Sequence, residues 1–148
     1  MMRDAKTAAK RFLKVRPQST AEIKAKLAQK GFFASDIEKT VAELTAQGYL
    51  DDVGFTRFWI NERLSMGFGA QRIIQELQDK SIEDKIIQEA LKQGTKDVCW
   101  DQIMMEQAQK RWKVLEAVSF EKRKKRVLNF LLRRGFEVDL AQKVIEKL

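Results

Sequence analysis

The chain has 148 residues, 44% of them hydrophobic and 34% charged, which is enough apolar material for a core and excludes a wholly disordered protein. One proline and seven glycines are too few for the many turns of an all-β protein. The net charge of +8 is divided as +5 over residues 1–50, −2 over 51–94 and +5 over 95–148, so two basic ends flank a mildly acidic middle; this points to an acidic or polyanionic partner, with a solvated basic surface as the plainer alternative.

Ala, Leu, Lys, Glu, Gln and Arg dominate, and local signals divide the chain into nine helices. The first spans about Asp4 to Val15, and Pro17 disfavours helix at Arg16. Ser19-x-x-Glu22 is a capping box that opens the second helix, which Gly31 stops. A second such pattern, Ser35-x-x-Glu38, is expected to open the third helix, with Gly48 as its left-handed C-terminal residue. The fourth runs from about Asp51 to Met66 before Gly67, the fifth begins after Gly69 and ends near Lys80, and the sixth runs from about Glu83 to Gln93 before Gly94. The seventh, roughly Lys96 to Ala117, is expected to be the longest. Ser119 caps the eighth, Gly135 ends it, and the ninth closes at Leu148.

A weak internal repeat runs through these helices. Ile23-x3-Leu27-x2-Lys30-Gly31-Phe32 returns as Ile73-x3-Leu77-x2-Lys80-Ser81-Ile82 and again as Val127-x3-Leu131-x2-Arg134-Gly135-Phe136. Each copy is followed by an apolar stripe: Ile37 and Val41, Ile86 and Ala90, Leu140 and Val144. In the last two copies that stripe starts one residue nearer the small residue. The expected fold is all-α, with three tandem three-helix repeats at 1–50, 51–94 and 95–148 forming an elongated, curved array. A unit of ~45 residues has little core of its own and gains stability by stacking on its neighbours.

The same residues argue against catalysis. The chain has no histidine, and therefore no general base of ordinary pKa near neutrality and no Ser-His or Cys-His pair. The single cysteine, Cys99, cannot build an ordinary zinc site or an internal disulfide, and it is expected to pack as a small hydrophobe beside Trp100. Gly67-Phe68-Gly69 lacks the third glycine and the preceding strand of a dinucleotide loop. Asp51-Asp52 fits a pair of acids at a helix N-terminus better than a catalytic pair. No catalytic residue, metal or cofactor is expected.

Trp59, Trp100 and Trp112 could stack on bases, but helical spacing makes them core residues, with Phe55, Phe58 and Trp59 on one face and Trp100, Met104, Ala108, Trp112 and Leu115 on another. Residues 1–10 hold no apolar leader run, and no stretch approaches ~18 consecutive apolar residues, so the expectation is a soluble, cytoplasmic chain without a membrane segment.

The run Lys122-Arg123-Lys124-Lys125-Arg126 is the most informative cluster. Five consecutive cations wrap around a helix, and near an N-terminus they oppose the macrodipole by ~0.3–1 kcal/mol for an exposed group. A phosphate or an acidic partner would compensate. Arg133-Arg134, at the other end of the same helix, complements the dipole and calls for no functional explanation.

Gly48-Tyr49-Leu50-Asp51-Asp52, then Phe55, Arg63, Gly67-Phe68-Gly69, Arg72-Ile73 and Glu76-Leu77, resembles the central signature of the RecX family. Arg16-Pro17-x-Ser19 with Glu22 and Leu27 resembles that family's first repeat, and Phe130-Leu131-Leu132-Arg133-Arg134-Gly135-Phe136 its third. The resemblance covers nearly the whole chain. It departs at Ser81, where glycine is usual, and at Met66, where a basic residue is common.

The resemblance implies tandem three-helix repeats in a non-enzymatic regulator that lies along the RecA–DNA filament and lowers ATP hydrolysis, strand exchange and coprotease activity. It also implies some direct DNA binding. Candidate contacts are Arg57, Arg63 and Arg72 in the middle unit and Lys122, Arg123, Lys124, Lys125 and Arg126 in the third, since arginine forks onto carboxylates or phosphates and lysine adds point charge. For Arg63 the alternative is an internal ion pair, for instance with Asp51 or Asp52. Gly48, Tyr49, Leu50, Asp51, Asp52, Phe55, Gly67, Gly69, Ile73, Leu77 and Gly135 are read as structural motif residues, and the protein is expected to be a monomer.

The alternative function is a stand-alone basic, helical nucleic-acid-binding protein, with the second and third helices as a helix-turn-helix. Glu38 and Glu43 make that third helix a poor fit to a phosphate-lined groove.

Overall fold

The computed structural model describes residues 4–148. Among them are nine α-helices and no strand: α1 Ala5–Val15, α2 Thr20–Gln29, α3 Ala34–Ala46, α4 Asp52–Ser65, α5 Ala70–Asp79, α6 Asp84–Gly94, α7 Trp100–Val114, α8 Phe120–Arg133 and α9 Val138–Glu146. No helix among the described residues is long and apolar enough to cross a membrane. The expectation about a leader falls in part on residues 1–3, which lie outside the described residues.

Two compact units are present. The first comprises the described residues up to Trp59 with Leu77–Lys92, and the second Ile60–Glu76 with Gln93–Leu148. In the first, Ala5, Ala8 and Ala9 of α1, Ile23 and Leu27 of α2, and Ile37, Val41 and Leu44 of α3 close on Leu50 as one apolar cluster. Small alanines on α1 let the helices approach closely, while Phe12, Leu13 and Phe32 seal the edge. In the second, Met104, Ala108 and Leu115 meet Val127, Leu131, Phe136, Ala141, Val144 and Ile145, with Trp100 and Trp112 half-buried against them. Cluster-lining residues recur at i, i+3 or i+4, as an apolar helical stripe requires.

The helix boundaries follow from identifiable caps. Asp4 accepts the Thr7 amide at 2.7 Å and opens α1. Arg16, before Pro17, is extended at φ −163°. Ser19 and Glu22 form the reciprocal capping box, each backbone amide bonded to the other's side chain at 3.2 Å. Gly31, Gly48, Gly67 and Gly135 all have positive φ just after a helix.

Four expectations need correction. Ser35 and Glu38 form no capping box: α3 starts at Ala34, Phe33 takes the N-cap position without a side-chain cap bond, and Glu38 pairs with Lys24 at 3.3 Å. Burial of Ile37, Thr40, Val41 and Leu44 sets the helix phase, and a start two residues earlier carries Ser35 past the capping position. Helix α7 is the longest among the described residues at 15, but it begins only at Trp100 and ends at Val114, because the chain turns at Thr95–Val98 through an amide–carbonyl bond of 3.1 Å. Cys99 is exposed rather than packed, since it is the extended N-cap of that helix.

The fourth correction concerns the repeat. The buried stripes are Ile37, Thr40 and Val41; Ile87, Ala90 and Leu91; and Ala141, Val144 and Ile145. Each lies six, nine and ten residues after Gly31, Ser81 and Gly135 respectively, so the three copies stay in phase. Ile86 is only half-buried, and Leu140 is 37% exposed. Ser81 occupies the glycine position with φ 59°, alone among described non-glycine residues in having positive φ.

Candidate functional site

The signature Gly48–Asp52 builds a helix junction in the first unit. Gly48 turns the chain out of α3, and Leu50 drops into the core at 2% exposure. Asp51 Oδ1 accepts the Val53 and Gly54 amides at 3.1 Å each, capping its own helix α4. Asp52 Oδ1 accepts the Thr20 amide at 2.8 Å, capping α2 instead. The two acids thus satisfy the N-termini of two different helices.

The start of α2 also meets the end of α5 within this unit. Ser19 Oγ donates to the Lys80 carbonyl at 3.3 Å, and Glu22 Oε2 lies 3.4 Å from Lys80 Nζ and 2.7 Å from Arg16 Nη2. Burial raises the Glu22 carboxyl pKa, but the Arg16 hydrogen bond, the Ser19 amide and the Lys80 charge together hold it below its ordinary 4.5. Lys80 Nζ also stands 4.5 Å from the Trp59 ring centre, and Trp59 stacks on Phe55 at 5.8 Å.

The second unit carries the larger concentration of arginine. Gly69, before α5, donates to the Arg134 carbonyl at 2.7 Å, and Gln71 donates to the Gly135 carbonyl at 3.2 Å, so the two carbonyls just past the end of α8 satisfy amides at the start of α5. The backbones touch: a Cβ on Gly69 would fall 2.4 Å from the Gly135 oxygen, and one on Gly135 would fall 2.4 Å from the Arg72 nitrogen. Phe68 is buried, and three guanidinium carbons surround its ring, those of Arg72 at 4.0 Å, Arg134 at 4.5 Å and Arg63 at 5.2 Å. Glu76 is an acid of this cluster: its Oε1 pairs with Arg63 Nε at 3.0 Å, and Oε2 lies 3.8 Å from Arg72 Nε. Burial lowers the Arg134 pKa first, and the nearby Arg72 charge lowers it further.

Of the proposed contacts, Arg63 and Arg72 therefore come together around Phe68 and Glu76, and the internal partner of Arg63 is Glu76 rather than Asp51 or Asp52. Arg57 is exposed on the part of α4 that belongs to the first unit. The basic run divides. Arg123 folds back on the Trp112 carbonyl with two bonds of 2.9 and 2.6 Å and lies 4.0 Å from the Trp112 ring centre, and Lys124 stands 4.5 Å from the Phe120 ring centre. Lys122, Lys125 and Arg126 are exposed.

Arg134 is the member that sequence reasoning passed over. Its place in a helix C-terminus explains a cation without any partner, and only the packing of Phe68 and Arg72 beneath it marks it out. Among the described residues there is no group of three or more acids or cysteines arranged to hold a metal ion.

Comparison with known proteins gives a consistent result. Models of the first, second and third three-helix domains of RecX match residues 5–44, 51–91 and 101–145. The chain is 34% identical over 146 residues to a protein named Regulatory protein RecX from Legionella pneumophila (strain Corby), covering 99% of this chain and 95% of that one. It is 30% identical over 135 residues to a protein of the same name from Vibrio parahaemolyticus, covering 91% and 85% respectively. A crystal structure of regulatory protein RecX superposes with a TM-score of 0.80 at 20% identity, over 96% of this chain and 70% of that one. The structure of RecX from Lactobacillus salivarius superposes with a TM-score of 0.77 at 20% identity, over 97% and 94%.

Proposed function

The chain belongs to the RecX family, and from that premise we propose that it is a regulator that binds the RecA–DNA filament and lowers its ATP hydrolysis, strand exchange and coprotease activity without chemistry of its own. Family signature running through all three helical triplets carries this reading, with the arginine cluster around Phe68 and the exposed Lys122, Lys125 and Arg126 as the groups suited to a charged nucleoprotein surface. Cytoplasmic action as a monomer, in units 1–50, 51–94 and 95–148, completes the proposal.

The test is a coupled ATPase assay with RecA on single-stranded DNA. Turnover falls as this protein is added, and unchanged turnover at saturating concentration rejects the proposal. The second reading, a stand-alone nucleic-acid binder, is favoured by the exposed cations of α8. It predicts tight DNA binding in the absence of RecA, with a steep salt dependence.

A further inference from the structure

We infer that Arg72 and Arg134 form a seat for one phosphate group of a nucleic-acid backbone, a specific anion site within the surface that the filament-binding reading requires. Comparison of the two helix junctions carries the inference. In the repeat register, Ser19 corresponds to Gly69, Glu22 to Arg72, and Lys80 to Arg134. Both junctions are closed by a bond to the carbonyl of the basic residue, from Ser19 Oγ to Lys80 in one and from the Gly69 amide to Arg134 in the other. Each basic residue lies over an aromatic ring, Trp59 or Phe68.

The charges differ. In the first junction Glu22 stands between Arg16 and Lys80 and pairs with both, leaving a net charge of +1. In the second, arginine replaces that glutamate, so Arg72 and Arg134 join Arg63 around the Phe68 ring, and among the described residues no ion pair links a carboxylate to Arg134. Glu76 lies 3.0 Å from Arg63 and reaches Arg72 at 3.8 Å. Arg72 also sits in the first turn of α5, at the positive pole of the helix, where a glutamate is favoured and an arginine opposed. Folding alone is served better by the arrangement around Glu22. An anion arriving from outside relieves both the like-charge contact and the dipole conflict.

The donors for such an anion are present. Arg134 uses Nη1 on the Met66 carbonyl at 3.1 Å, and Arg72 uses Nη1 on the Arg133 carbonyl at 3.2 Å, which fixes both groups and leaves most of their N–H donors unclaimed among the described residues. Their placement on two backbone elements suits the two non-bridging oxygens of a phosphate. The seat also lies at the end of a line of exposed side chains on α8, Lys122, Arg126, Asn129 and Arg133, spaced at i, i+4, i+7 and i+11 on one face. Three cations and an amide leading to the seat match a repeating anion, a phosphodiester backbone, rather than a single protein carboxylate.

The experiment measures binding of a fluorescein-labelled single-stranded DNA oligonucleotide to the full chain alone across a sodium chloride series. Arg72→Gln and Arg134→Gln are each expected to weaken binding and to reduce the slope of log affinity against log salt by about 0.7, the counterion release of one single-strand phosphate contact. Lys80→Gln, at the junction where Glu22 pairs with the lysine, leaves the slope unchanged. The melting temperature of Arg72→Gln holds or rises, whereas a merely structural arginine would lower it on removal.

Unchanged slopes in both arginine variants, an equal loss in Lys80→Gln, or no oligonucleotide binding by the wild-type chain overturns the inference. If Arg72→Gln keeps the oligonucleotide slope yet loses the effect on RecA ATPase, the pair serves an acidic protein group and the phosphate seat is wrong. Failure of the filament reading shows separately, as absence of ATPase inhibition by the wild-type chain.

Discussion

Ser81 holds a backbone conformation that its side chain disfavours, and replacing it by glycine should stabilise the protein. The positions that correspond to it, Gly31 and Gly135, have φ +92° and +95°, and Ser81 has φ 59° in the same turn after its helix. A left-handed conformation costs an L-residue about 1–2 kcal/mol. Glycine offsets part of that gain by about 0.5–1 kcal/mol, because its unfolded chain is freer. The net expectation for Ser81→Gly is about 0.5–1 kcal/mol of added stability, or a melting temperature higher by roughly 1–4 °C in a chain of this size.

Two companions separate strain from packing. An added Cβ at Gly31 would meet nothing within 4 Å, so Gly31→Ala isolates the conformational cost, a net destabilisation of about 0.5–1 kcal/mol after the same unfolded-state offset. At Gly135 the same Cβ would also strike the Arg72 backbone at 2.4 Å, so Gly135→Ala should cost clearly more than Gly31→Ala. Urea unfolding followed by circular dichroism measures all three. A destabilised Ser81→Gly, or equal losses at Gly31 and Gly135, would refute the reasoning.

Two further outcomes follow from the junctions. Gly69→Ala places a Cβ 2.4 Å from the Gly135 oxygen and 2.9 Å from the Phe136 nitrogen, both backbone, so the bond from Gly69 to Arg134 must open; the expected loss is about 2–3 kcal/mol in urea unfolding, with faster amide exchange at Gly69 and Gln71. Because the Glu22 carboxyl titrates below its ordinary 4.5 in the folded protein, its stabilising contribution is present above the unfolded-state value and is lost as pH falls through the folded one. Denaturation at a series of pH values should therefore show Glu22→Gln less stable than wild type at neutrality, with the difference shrinking at pH values below about 4.5; a difference that stays constant with pH contradicts the assignment.

The helices were legible because their signals are local. The Ser19–Glu22 box, the extended Arg16 before Pro17 and the glycines after α2, α3 and α8 each act within a few residues, and each occurs where the sequence places it. Where the sequence misled, a longer-range term decided. Ser35 has the right spacing to Glu38 for a cap, yet the helix phase is set by burial of Ile37, Val41 and Leu44 against α1 and α2, which moves the start to Ala34. Ile86 and Ile87 are equally apolar, and only packing chooses Ile87, which restores the six-residue interval from Ser81 that the other two copies share.

The arginine site was half visible for the same reason. Arg63 and Arg72 stand inside a recognisable signature. Arg134 is distant in sequence and explicable as a helix-terminal cation, and becomes conspicuous only once Gly69 and Gly135 bring two backbones into contact and set it beside Arg72 over Phe68. A tandem repeat supplies its own control here. The same junction is built twice, with glutamate facing the basic residue once and arginine once, and that difference in charge at equivalent backbone positions is what the salt-dependence experiment probes.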